Sequence, residues 1–225
     1  MKKKFSILTI ALALISISTF AQSDAVWTKT VNAWEASKNL KADYVVRSIV
    51  AGAKGFSSDY NTAGGVIEGG VIYGDSGKFK INTVKFVNKG EVFIVDPPKA
   101  SKDSYTDMMH TKEHLVLAKA NQKHLTIKKV SDDDAATVVY DITAKIPNYP
   151  EFQVKTYVNS EGIPLKVVNS KFKKGKSSSA GSKLTVKYKE ANGQIVVHER
   201  LEEVKVEFFG NASYITDSYV FSKYK

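Results

Sequence analysis

His110-Thr111-Lys112-Glu113-His114 is the stretch whose residue types and spacing come closest to catalysis. It fits the H-x-x-E-H pattern. On a helix, two histidines four apart share a face and could bind zinc, with Glu113 as the base. Such a site needs a third protein ligand, and nothing in the chain marks one. The flanking Met108, Met109 and lysines read as an ordinary amphipathic segment, so both histidines are expected at the surface. Asp132-Asp133-Asp134 could attract calcium, but it lacks the spaced ligands and glycine of a dedicated loop and reads as a solvated turn. Gly64-Gly65 and Gly69-Gly70 are followed by neither a helix nor a Lys-Ser/Thr pair, which excludes a phosphate loop. They suit a strand that bends or lets a ligand approach its backbone. No serine carries a nucleophile signature, and the absence of cysteine excludes thiol chemistry and disulfides. The expectation is a protein that is not an enzyme and needs neither metal nor cofactor.

The elements that would position any site begin after an export signal. Lys2-Lys3-Lys4 precede an apolar run from Phe5 to Ile17, and Thr19-Phe20-Ala21 gives a small-residue exit. The apolar run falls short of the ~20 residues that span a bilayer. It reads as a signal peptide, Met1–Ala21, cleaved to leave Gln22 first in a periplasmic protein. The remaining residues, 22–225, suit one β-rich domain with a core of its own. They carry 30 basic against 23 acidic residues, about +7. Export argues against nucleic acid as a partner. The charge suits an anionic membrane surface or an acidic envelope protein, or simply confers solubility. Lys171, Lys173, Lys174, Lys176 and Lys183 cluster in what reads as one polar loop, with the same alternatives open.

One helix opens the domain, with Ser23 or Asp24 as its cap and Trp27, Val31, Trp34 and Leu40 on one face. Most of the chain beyond this helix alternates with period two. In Lys41–Val50 the inward face is read as Ala42, Tyr44, Val46 and Val50. Gly52–Gly65 and Lys173–Lys183 read as loops. An extended piece near Tyr105–Met109 and a short helix near Glu113–Ala120 interrupt the alternation. Ile146–Pro150 must break pairing, because proline cannot donate to a ladder. Glu161-Gly162 and Asn192-Gly193 read as hairpin turns. Strands with one apolar and one charged face imply an antiparallel sheet, wet on one side, of about ten or eleven strands. A sheet that long curls.

The order of these elements resembles the periplasmic lipoprotein-carrier family, the LolA/LolB-like half-barrels. The resemblance is carried by Trp27–Leu40, Ala42–Val50, Gly65–Tyr73, Lys78–Asn82 and Asn88–Pro97, and by Phe152–Lys155 with the Asn159–Lys166 hairpin. It covers about two-thirds of the mature chain in order and spacing. Two features depart from it. The carriers place an Arg-Pro pair at the turn after the Gly-rich strand, and that arginine latches the lid. Here the turn is Gly74-Asp75-Ser76-Gly77. The family's Pro-rich C-terminal segment is replaced by strands.

The resemblance implies a mostly β fold: a strongly curved antiparallel half-barrel whose N-terminal helix plugs the concave face. It implies non-enzymatic binding of a hydrophobic ligand, lipid or lipoprotein acyl chains. The candidate lining is the inward phase of each strand: Tyr44, Val46, Ile67, Val71, Tyr73, Phe79, Ile81, Phe152, Val154, Leu165 and Val167, with Trp27 and Trp34 as the plug. The alternative is a periplasmic sensor or interaction module on the same fold, in which these residues form a dry core. A zinc hydrolase through His110, Glu113 and His114 is the remote third reading.

Overall fold

The computed structural model describes residues 24–37, 40–54, 60–62, 65–74, 77–106, 112–130 and 136–225. The Met1–Ala21 signal, His110 and the Asp132–Asp134 turn lie outside them. Helix α1 (Ala25–Ser37) starts where expected. The Asp24 carboxylate accepts hydrogen bonds from the Val26 and Trp27 amides at 2.9 and 3.1 Å, satisfying two groups that a helix start otherwise leaves bare. Trp27, Val31 and Trp34 are buried along one stripe. The buried Thr30 and Ser37 hydroxyls donate back to Val26 and Ala33, so neither hydroxyl is left unmet.

The sheet is built from two antiparallel meanders. The first comprises β1 (Ala42–Lys54), β2 (Tyr60–Thr62), β3 (Val66–Tyr73), β4 (Lys78–Asn88), β5 (Glu91–Ala100) and β6 (Tyr105–Thr106). The second comprises β7 (Leu125–Val130), β8 (Thr137–Ala144), β9 (Phe152–Asn159), β10 (Pro164–Lys174), β11 (Ser178–Ala191), β12 (Gln194–Phe208) and β13 (Asn211–Tyr224). β1 pairs with β13 and joins them in the order β5-β4-β3-β1-β13-β12-β11-β10-β9-β8-β7, with β2 beside β1 and β6 beside β4. The sheet is open, and β5 and β7 are its edges.

The sheet is also curled. The Phe79 ring on β4 lies 6.4 and 6.0 Å from the Tyr219 and Phe221 rings on β13, three strands away. Flat strands would separate those backbones by about 14 Å. Register shifts at Glu68/Gly69 and Thr83/Lys85 add bend and twist. At Gly69 a β-carbon would collide with the Asn82 carbonyl, so only glycine lets β3 and β4 approach there.

To pass from edge β5 to edge β7 the chain crosses the concave side. Two short 3₁₀ segments, Lys112–Val116 and Lys119–His124, lie on this crossing, and Val116 and Leu117 are fully buried. The concave side is therefore plugged by α1 and the crossing together.

Three expectations are corrected. β1 continues to Lys54 and β2 occupies part of the expected Gly52–Gly65 loop. The expected Lys173–Lys183 loop is largely strand, because β10 runs through Lys174 and β11 begins at Ser178. Much of that region is exposed on both faces, so no apolar alternation marked it. In β1 Ala42 is buried as expected, but beyond it the phase is reversed. Val45 is fully buried beside Phe221, whereas Tyr44 and Val46 belong to the opposite face. Both phases of β1 are apolar, and the inward one carries Arg47, so alternation there does not reveal the buried side.

Candidate ligand-binding face

The plugged half of the concave face centres on Trp34. Its ring stacks on His114 at 5.4 Å and meets Tyr188 of β11 edge-on at 5.6 Å. The Tyr188 hydroxyl and His114 Nδ1 are 3.0 Å apart, and burial, followed by the nearby Glu113 carboxylate, pushes the Tyr188 pKa well up. Glu113 accepts a 2.8 Å hydrogen bond from Asn169 on β10, and both are buried. The surface position expected for His114 is thus corrected: Glu113 and His114 are interior, at 2% and 3% exposure. A general base needs a substrate within hydrogen-bond reach, and here Glu113 meets an asparagine of the core. Among the described residues no group of three or more His, Cys, Asp or Glu is placed to hold a metal ion.

At the other end of α1, Asp24 Oδ1 also accepts the Tyr140 hydroxyl at 2.7 Å, and Lys129 Nζ lies 3.2 Å from Oδ2. Burial alone would raise the Asp24 pKa. The bonds from Tyr140, the Trp27 amide and Lys129 outweigh it and hold the carboxyl below its ordinary value. Burial and the same carboxylate raise that of Tyr140. Asp24→Ala removes the cap and leaves Tyr140 unmatched, an expected loss of about 1–3 kcal/mol. Asp24→Asn keeps an accepting cap and should lose less. Because the folded pKa is depressed, the charge-dependent stabilisation is complete above the unfolded pKa and disappears as pH falls through the folded one. Urea midpoints of wild type and Asp24→Asn should therefore draw together progressively as pH falls below about 4, the ordinary carboxylate pKa.

The expected lining residues divide into three sets. Trp27, Trp34, Phe79, Ile81, Phe152, Val154 and Val167 are packed in the core at 0–5% exposure. Ile67, Val71 and Tyr73 are partly buried against it. Tyr44, Val46 and Leu165 lie on the opposite phase: the Tyr44 hydroxyl donates to Glu68 at 3.2 Å, Glu68 also pairs with Lys85, and Leu165 is 38% exposed. Leu165 follows a register shift at Pro164/Lys166, which alternation alone does not reveal.

Sequence reading missed the polar row at the centre of this face. Cross-strand register aligns Phe93, Phe86, Ile67, Arg47, Tyr219, Arg200, Val186, Val167, Thr156 and Tyr140 from β5 to β8. The chain's two arginines thus flank one tyrosine. Arg47 forks onto Asp217 with two 3.0 Å bonds and lies over the Tyr105 and Tyr219 rings at 4.8 and 5.3 Å. Arg200 lies 5.6 Å from the Tyr219 ring and holds Glu202 at 2.6 Å. Each positive charge has its own carboxylate, so the row is a neutral floor rather than an anion site. The only signal for it was that both arginines fall within strands.

Beyond this row on β1, β12 and β13 the same face bears Ile49, Val204 and Ile215 next to Asp217 and Glu202, with Ile215 half exposed; in the row itself the stacked Phe86 and Phe93 lie toward β5. A separate crevice of about 470 Å³ runs between α1 and the second 3₁₀ segment, lined by Trp27, Val31, Gln122 and Lys123 among others. Across the back of β10–β13 a hollow of about 510 Å³ lies between Phe172 and Tyr214. Among the described residues no helix is long and apolar enough to cross a membrane.

No family model matches the chain, and no curated protein does. Among solved structures, the chain is similar to a DUF1329 family protein from Desulfovibrio piger, with 8% identity, a TM-score of 0.31, and coverage of 88% of this chain and 92% of that one. A likeness of that size carries no argument about function.

Proposed function

We propose that this is a non-enzymatic periplasmic binding protein that takes a hydrophobic ligand, lipid or lipoprotein acyl chains, against the partly covered region of its concave face on β1, β12 and β13. One observation supports this above the others. On β1, β12 and β13 the inward apolar residues Ile49, Val204 and Ile215, with Phe86 and Phe93 on β4 and β5, are left only partly covered, beside the paired carboxylates Asp217 and Glu202 on the same face. Each CH₂ laid against such residues gains ~0.8 kcal/mol, so an acyl chain can be held without a charged anchor. The ligand face differs from the expected one, because the residues expected to line it are largely occupied in holding the plug.

A fluorescent fatty acid should bind saturably and be displaced by phospholipid. Ile215→Asp, at a half-exposed position that tolerates a charge, should leave the circular dichroism unchanged and weaken binding about tenfold or more. If the folded wild type binds no probe, the second reading takes its place: an interaction or sensor module. That reading is favoured by the dry packing of Phe79, Ile81 and Val167.

A further inference from the structure

We propose that the paired tips of the β10–β11 and β12–β13 hairpins form a docking surface for an anionic lipid bilayer. The two tips adjoin, since Ser178 pairs with Phe208 and the Phe209 amide donates to the Ser177 carbonyl at 3.0 Å. They make one platform. At its end Phe172, Phe208 and Phe209 are 69%, 54% and 70% exposed around a hollow of about 530 Å³. Lys173, Lys174 and Lys176 stand exposed beside them. The carboxylate lining that hollow, Glu207, is already engaged by Lys205 and Ser179, leaving the tip net positive.

The backbone gives an independent reason to assign this patch a role. Three hairpin turns of the sheet place a non-glycine residue and then a glycine at positive φ: Lys89-Gly90 (49° and 84°), Asn192-Gly193 (52° and 71°) and Phe209-Gly210 (47° and 80°). Such turns favour Asn or Asp at the first position. A bulky aromatic at positive φ is strained. Phe209 carries that strain, and apart from the edge-on contact with its exposed neighbour Phe208 it gains little burial in return. Exposed aromatics that seat at the headgroup level, ringed by lysines that meet anionic lipid, are the chemistry of a bilayer interface. A protein partner offers no comparable reason for lysines around the rings with only one acid, already paired, among them.

The test is co-sedimentation with vesicles of phosphatidylethanolamine containing about one-third phosphatidylglycerol, at low and high salt. Wild type should bind, more weakly at high salt. Phe209→Asn restores the residue the turn prefers, so its Tm should hold or rise while its vesicle affinity falls about tenfold or more, the scale of removing one buried phenylalanine. Replacing Lys173, Lys174 and Lys176 together with Gln should weaken binding and flatten its salt dependence. Wild type that ignores vesicles, or Phe209→Asn that binds them equally, overturns the proposal. So does a lipid-free dimer that Phe209→Asn dissolves, which would make the patch a contact between copies. The fatty-acid probe separates this from the ligand proposal. Its affinity should be unchanged in Phe209→Asn, and a parallel loss would place Phe209 in the ligand face instead.

Discussion

Ile81→Asp is expected to leave no cooperatively folded protein. Ile81 is fully buried on β4, opposite Val71, in the core cluster that includes Phe79 and Phe221. An aspartate there would stand among the apolar side chains of that cluster. It must either protonate or carry an uncompensated charge into the core, at a cost of several kcal/mol on top of the lost burial. Domains of this size have about 5–15 kcal/mol in all. The expected readout is loss of the urea transition and of near-ultraviolet circular dichroism. A folded Ile81→Asp protein that still binds the fatty-acid probe would show that the concave side near β4 is looser than its packing implies. Loss of binding in this variant says nothing about a ligand face, which is why Ile215 is the informative position.

Trp34→Ala should lower stability by about 3–5 kcal/mol, the range for a buried aromatic truncated to alanine. The loss reaches beyond α1, because the Trp34 ring contacts His114 of the crossing and Tyr188 of β11 together. Removing it leaves the His114–Tyr188 pair beside a void and loosens the plug from the sheet. Trp34→Phe keeps an aromatic surface and should cost less. Urea midpoints read both. A Trp34→Ala cost below about 1 kcal/mol would mean that the plug contributes little to the fold.

The architecture is readable wherever one face of an element is wet. α1 announces itself through the Trp27, Val31 and Trp34 spacing and the Asp24 cap, and β9 through strict alternation at Phe152, Val154 and Val158. The Asn192-Gly193 turn needs no tertiary information. Reading fails where both phases are apolar, as in β1, and where both faces are wet, as in the β10–β11 tip. His114 escapes it for a different reason. Its segment has charged and polar neighbours, and only the long crossing from edge to edge forces it under α1. In the Arg47–Tyr219–Arg200 row Arg47 lies over 150 residues from the other two, so no local spacing encodes it. The candidate ligand face is hidden in the same way: alternation tells which residues point inward, but not how far the plug extends over them.

The β1–β13 seam has a consequence for how the chain assembles. Ala42 pairs with Tyr224, and the Lys41 and Lys225 backbones exchange hydrogen bonds at 3.1 and 3.0 Å. These are interior strands of the sheet, not its margins. Each meander can form early from neighbouring hairpins, whereas the seam closes a loop of nearly the whole domain and is entropically slow. In a chain that emerges N-terminus first, β1 has one bare side until the last fourteen-residue strand arrives. This interior seam is thus completed after both meanders, and until then an unpaired apolar strand stands open to other chains. The half-finished protein, more than the finished one, is the form that needs protection from aggregation.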